Sequence, residues 1–319
     1  MFKPILSGPK EKYGPMGPYF DYSFDENYCN EENWEQAEIH LQDSAINTVL
    51  DKIGLNIDDI GLIVGGDLNN QLGVTNYTVR KYSVPFLGVY SACTTLTESL
   101  FVASVMVDGK LFDNVLTVTS SHNSTSERQF RYPTEYGAQK PSSTTSTATG
   151  AGAAIISRDA SSIKITKATV GKIIDPALFD AQDMGRTMAP AAADTLIQHL
   201  NDFNIGPDEY DLILTGDLSK YGSDIFLKIL EGHNIDLKNR YNDAGLMLYD
   251  IKRQHVYAGG SGCGCVTLVT LSYIIDRIKK GVLNKVLILA TGALMNPIMT
   301  AQSESIPAIS HAICLERSY

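Results

Sequence analysis

The sequence predicts an α/β protein built from two related halves, and three observations carry that prediction. Apolar strand-like runs alternate with segments of helical period along the chain. A seven-residue phrase, LIVGGDL at 62–68, returns as LILTGDL at 212–218 with five positions identical. A spacing repeats too: Gly109 and Gly281 stand sixteen residues beyond Cys93 and Cys265, and each leads into an apolar strand. Duplication of a βαβ-rich unit accounts for all three, and the common wording of α/β chains is the alternative.

Taken in order, residues 1–34 mix glycine, proline, aromatics and acids without period and read as an N-terminal arm packed on the surface. From Glu35 to Ile53, Ala37, Leu41, Ala45, Ile46, Val49, Leu50 and Ile53 recur at helical spacing, and Gly54 is placed to end the run. A strand at 62–64 enters the loop GGDLNNQLG, and a β-rich stretch at 84–90 leads into SACTT and a helix over 94–108. The next strand covers 115–119. The first half is placed at 35–160 and the second at 161–319, with strands at 212–218 and 286–290 and a second central helix after AGGSGCGC, 258–265. Two such halves imply parallel-rich sheets covered by helices, with the central helices sandwiched between the sheets. Ligands of α/β folds bind beyond the carboxyl ends of strands, which here carry GGDLNNQ, YSACTT, SSHNS, TGDLSK and TGALMN.

The 319 residues allow about two compact units. Apolar residues at 44% and charged residues at 19% exclude disordered and low-complexity classes. A net charge of -10 opposes nucleic-acid binding. The longest apolar runs, such as VTLVTLSYII at 266–275, are too short for the ~18 residues of a spanning helix. The N-terminus lacks the pattern of a secretory signal, so synthesis is expected to end in the cytoplasm. Five cysteines without C-x-x-C spacing indicate free thiols, with no disulfide framework or zinc site; no cofactor or metal is expected.

Cys93 lies between an apolar strand and a helix. A thiol there meets partial positive charge and free N–H groups, the setting of an activated nucleophile or an anion cradle; a buried cysteine filling a tight junction is the alternative. A nucleophile needs a base. Of six histidines, His40, His199 and His233 read as solvated, and His255 and His311 as structural. His122, in SSHNS, is the best placed to reach a central cleft, with capping of its own loop the equal alternative. The glycine-rich loop carries Gly260, Ser261 and Gly262, where backbone N–H groups can face a ligand; close packing of the central helices explains it equally. It matches neither nucleotide-binding fingerprint. Asp67 and Asp217, at matching strand ends, are expected to accept backbone N–H bonds and stiffen turns. The hydroxyl-rich stretch after His122 adds Arg128, Arg131 and Lys140, which could hold an anion or simply be solvated.

The ordered phrases GPKEK, NWEQAE, SSHN, RQFRYPTEYGAQKP, TATGAGAA, MAPAAADT, DLILTGDL and ATGAL together resemble the stage V sporulation protein AD family, from about residue 8 to 315. The resemblance implies a thiolase-like duplicated fold, with mixed sheets in a layered αβαβα arrangement. It implies uptake of dipicolinic acid (pyridine-2,6-dicarboxylate), with Ca²⁺, into the developing spore. It also implies small membrane proteins of the same sporulation operon as partners, a peripheral place at the forespore inner membrane, and a homodimer formed through the edge of the first sheet. The family pattern has a proline where this chain has Cys263.

Ketoacyl synthases of similar fold place a nucleophile where Cys93 stands, a histidine in H-Q-A-N after a second-half strand, and an asparagine at the later glycine loop. Here those places read TGDLSK and AGGSGCGC. The expected function is therefore non-catalytic binding of dipicolinate by Ser91, Cys93, Thr94, His122, Arg128, Arg131, Gly260, Ser261 and Gly262. Acyl transfer through Cys93 with His122 or His255 as base, and a scaffold for membrane partners, are the alternatives.

Overall fold

The computed structural model describes residues 5–130 and 140–318. Its first sheet has six strands, ordered Tyr22–Ser23, Ile5–Ser7, Gly150–Ser157, Asn114–Ser121, Leu62–Gly66 and Phe86–Gly88. The second has five, ordered Tyr241–Asp243, Leu212–Gly216, Lys285–Ala293, Ala308–Arg317 and Ile163–Val170. In each sheet three strands run parallel, then two antiparallel pairings follow. The two halves thus share one pairing pattern. The sheets are mixed rather than purely parallel because Gly150–Ser157 and Ala308–Arg317 run back beside the last parallel strand of each unit.

The layers follow from which faces are apolar. The helix Trp34–Ile53 starts on an Asn33 side chain that accepts from Gln36 N and ends at Gly54 with φ 68. Its stripe of Ala37, Leu41, Ala45, Ile46 and Val49 is fully buried against the first sheet. Each such Leu, Ile or Val contributes roughly 2 kcal/mol by leaving water. Met184–Asp202 and Ser219–Gly232 cover the outer face of the second half. Between the sheets lie Thr95–Asp108 and a second helical stretch, Cys263–Val269, which continues through a π-helical turn, Thr270–Ile274, into Ile275–Lys279. Val266, Leu268, Val269, Leu271, Ile274, Ile275 and Ile278 of that stretch are all buried, as an element covered on every side requires. This is the αβαβα sandwich. No helix among the described residues is long and apolar enough to cross a membrane.

The N-terminal arm does more than lie on the surface. Ile5–Ser7 is a buried strand of the first sheet. Glu11, in GPKEK, is buried and accepts from Thr149 N at 3.0 Å and from the Tyr249 hydroxyl, tying the arm to both halves.

Candidate functional site

The strand end at Gly292, the glycine loop at Gly262 and Asp217 come together at Cys93. The turn into the first central helix is made at Ala92, whose φ of 51 is unusual for a residue with a side chain. Ser91, Cys93 and Thr94 are all buried. Thr94 Oγ1 donates to Ala290 O at 2.8 Å, fixing the helix start on the strand Lys285–Ala293. Gly292 of TGALMN follows. A Cβ there would sit 2.2 Å from Ser91 O and 3.2 Å from Cys93 N. Gly292→Ala is therefore expected to cost roughly 2–3 kcal/mol by overpacking backbone against backbone, seen as a lower urea midpoint. An unchanged midpoint would show that the Cys93 turn yields freely.

The glycine loop closes the other side. Gly262 has φ 95, and a Cβ on it would come within 2.8 Å of Ser121 Oγ. Cys263 Sγ donates to Ser120 O at 2.8 Å, and Gly264 N to Ser121 Oγ at 3.0 Å, joining SSHNS to the second central helix. The hydroxyl-rich segment lies over this loop. Ser146 and Thr147 pair with Gly260 and Ser261 in a short parallel ladder, and Thr145 Oγ1 bonds Ser261 Oγ at 2.8 Å. A cavity of about 450 Å³ lies apart from these residues, against Arg186, Tyr221 and Lys228 of the outer helices. Cys93, Cys263 and Cys265 are all buried beneath this cover.

Burial pushes the Cys93 thiol well above its ordinary value, and the neighbouring Asp217 carboxylate pushes it further. The N–H groups of Gly262 and Cys93 itself act in the opposite direction and do not win. At neutral pH the side chain is a thiol, a poor nucleophile. Cys263 and Cys265 are raised in the same way, burial first. All five cysteines are buried and unbridged.

The two matching aspartates differ. Asp67 stiffens its turn as expected, accepting from Asn69 N and Thr75 N, each at 2.7 Å, and from Thr75 Oγ1. Asp217 does not. It is fully buried with φ 71, and neither carboxyl oxygen has a hydrogen-bond partner. The Cys93 and Cys265 thiols lie close enough to influence its titration but do not reach hydrogen-bond geometry. The turn is held instead by Asp243, which accepts from Thr215 Oγ1 at 2.7 Å, Leu218 N at 3.1 Å, and Ser219 N and Gly245 N at 2.9 Å. A left-handed φ swings the Asp217 side chain away from that turn and toward Cys93.

The remaining expectations separate. His122 is fully buried, with Nε2 on Asn27 O at 2.7 Å and Nδ1 accepting from Ser124 N at 3.1 Å. Burial lowers its pKa, so it is a neutral ring committed to the N-terminal arm. Arg128 is exposed, and Arg131 lies outside the described residues. His255 and His233 are exposed, and His40 pairs with Glu31. His199, expected at the surface, is buried between Thr169 and Tyr210, and His311 accepts from Gly171 N. Each imidazole is engaged elsewhere or solvated.

A buried carboxyl network was not foreseen. Glu38 and Gln42 sit on the inner stripe of the helix Trp34–Ile53. Glu38 accepts from Ser120 Oγ at 2.7 Å and from Thr125 Oγ1. Gln42 Nε2 donates to Ser120 Oγ at 2.8 Å and to Thr75 Oγ1 at 2.9 Å, and Thr75 leads on to Asp67. Their spacing with Ala45 and Val49 was the available signal: two polar residues on a buried face.

Comparison with known proteins fits this architecture. The 3-oxoacyl-[acyl-carrier-protein] synthase III of Aquifex aeolicus VF5 superposes with a TM-score of 0.59 at 12% identity, covering 99% of this chain and 98% of that one. Cerulenin-bound OleA of Xanthomonas campestris superposes with a TM-score of 0.58 at 14% identity, over 86% of this chain and 81% of that one. At such identities the likeness shows a shared thiolase-like fold. Stage V sporulation protein AD of Bacillus subtilis (strain 168) is 50% identical over 312 residues, 98% of this chain and 92% of that protein. The family model for stage V sporulation protein AD matches residues 3–316. A duplicated sandwich with Cys93 at its centre and sequence agreement along almost its whole length lead to one conclusion: the chain belongs to the stage V sporulation protein AD family.

Proposed function

We propose that this chain binds dipicolinate without turning it over and supports its uptake into the developing spore. The observation that carries the reading is the pairing at the centre of the fold. Cys93 occupies the place of a condensing nucleophile, yet it faces a carboxyl group, Asp217, where the synthase pattern has an imidazole. Burial holds the Cys93 thiol protonated, and Asp217, kept protonated by its own burial, offers no base, so the condensing steps lose a proton acceptor worth orders of magnitude in rate. The cluster around Cys93 can then serve recognition. A rigid planar dianion suits Gly262 N–H and the hydroxyls of Ser91 and Ser261, with Thr94 holding the helix start in place through Ala290 O.

In this reading the ligand enters when the short ladder over Gly260 and Ser261 opens. The protein works beside small membrane proteins of its operon at the forespore inner membrane. It pairs with a second copy through the edge strand Phe86–Gly88, whose Leu87 is exposed. Calorimetry on the purified protein tests the binding: heat is expected with dipicolinate near millimolar levels, with or without Ca²⁺. Absence of heat in both arms, or an acyl adduct on Cys93 after incubation with acyl-coenzyme A, overturns the reading.

A further inference from the structure

Asp217 is an anomaly that folding alone does not explain. An aspartate with left-handed φ, no exposure and two unpartnered oxygens combines backbone strain with an unsatisfied buried group. Its duplicate, Asp67, spends both oxygens on a turn. In the second half that task belongs to Asp243, whose four donors leave it nothing to gain from Asp217. A glycine or asparagine at 217 would serve the turn at lower cost. The carboxyl lies instead beside the Cys93 and Cys265 thiols, and the Gly262 N–H faces the same Cys93 thiol from the glycine loop.

We propose that Asp217 is a recognition residue whose buried, unpartnered carboxyl donates a hydrogen bond to a carboxylate oxygen of the bound anion while Gly262 N–H donates to the same anion. This deepens the dipicolinate reading and rests on it. The groups around Asp217 are the Cys93 thiol by the first central helix, the Cys263 and Cys265 thiols of the second, and the Asp243 carboxyl at the end of Tyr241–Asp243; none of these is cationic. Burial and the Asp243 charge both favour the protonated form. An acid–carboxylate hydrogen bond is charge-assisted and strong, and a neutral acid admits a dianion that an ionised Asp217 would repel. Binding then requires the proton to be in place, so affinity falls as pH rises through the titration of Asp217. The amide of Asp217→Asn keeps a donor at all pH values.

Dipicolinate titration by calorimetry from pH 6 to pH 9 on wild type, Asp217→Asn and Asp217→Ala tests this, with infrared difference spectra reading the protonated carboxyl band that Asp217→Asn lacks. The expected result is affinity falling up to tenfold per pH unit above the titration in wild type. Asp217→Asn should bind within about threefold of wild type at pH 6 without that fall, and Asp217→Ala at least tenfold more weakly. Wild-type affinity in Asp217→Ala, the same pH slope in Asp217→Asn, or an ionised Asp217 at pH 7 in the infrared spectrum overturns this inference alone. No heat from wild type at any pH overturns the dipicolinate reading together with it.

Discussion

Asp217→His is expected to raise the alkylation rate of Cys93 by iodoacetamide at pH 8 roughly 10²-fold over Asp217→Asn, the scale of a positioned general base. The thiol in the native chain is held protonated chiefly by burial, and the protonated carboxyl beside it cannot take its proton. An imidazole in that position supplies the missing base: it accepts the thiol proton, and the resulting imidazolium stabilises thiolate. Histidine is among the residues that tolerate a left-handed φ such as the 71° at position 217. Asparagine is the proper reference because it preserves shape and leaves reagent access through the closed cover the same. Mass spectrometry of the Cys93 peptide over time measures the ratio. Rates within twofold of each other would mean that Asp217 does not face the thiol closely enough to govern it, and the central argument for a silenced nucleophile would fail.

The second large effect is a stability that declines toward alkaline pH. Burial, and then the Asp67 charge, hold the Glu38 carboxyl well above its ordinary value of 4.5. Burial raises Asp67 as well, against three hydrogen bonds, and pushes Asp243 up to about 6 from 3.8. An unfolded chain loses these protons near the ordinary values, while the folded chain keeps them to higher pH. Between those limits the folded state binds more protons, so its stability is greatest below the ordinary carboxyl range and falls as pH rises through the folded values. For Asp243 alone the rise corresponds to about 3 kcal/mol at 1.36 kcal/mol per pH unit. The urea midpoint is expected to be higher at pH 5 than at pH 8. Glu38→Gln, nearly isosteric and uncharged, should flatten that slope and raise the midpoint at pH 8. Glu38→Ala should lower it at both pH values by about 3 kcal/mol, because Ser120 and Thr125 lose their partner. A wild-type midpoint that climbs from pH 5 to pH 8, or a slope unchanged in Glu38→Gln, would contradict the assignment.

Much of the architecture was legible because it is written locally. The stripe from Ala37 to Ile53 and the stop at Gly54 needed only helical period and one left-handed glycine. The duplicated phrases LIVGGDL and LILTGDL marked equivalent strands because each must end at the same kind of turn in a repeated unit. The antiparallel strands were less visible. Gly150–Ser157 is made of small residues demanded by contact with the second central helix, and nothing in its own period says which way it runs. The arm was read as superficial because a three-residue strand has too little pattern to separate from loop.

The site divides in the same way. From residues alone came Cys93 at a helix start, the glycine loop and the strand ends that surround them, since each is defined by a junction between neighbouring elements. What only the folded chain decided was orientation. Identical aspartates at matching strand ends diverged because one backbone took a left-handed φ and Asp243, distant in sequence, filled the vacated turn. His122 was drawn to Asn27 rather than to Cys93 because the arm it bonds lies about a hundred residues earlier and meets it only across the sheet. Period and spacing encode which face an element buries; which buried groups then confront one another depends on contacts between segments far apart in the chain, and those are set by packing.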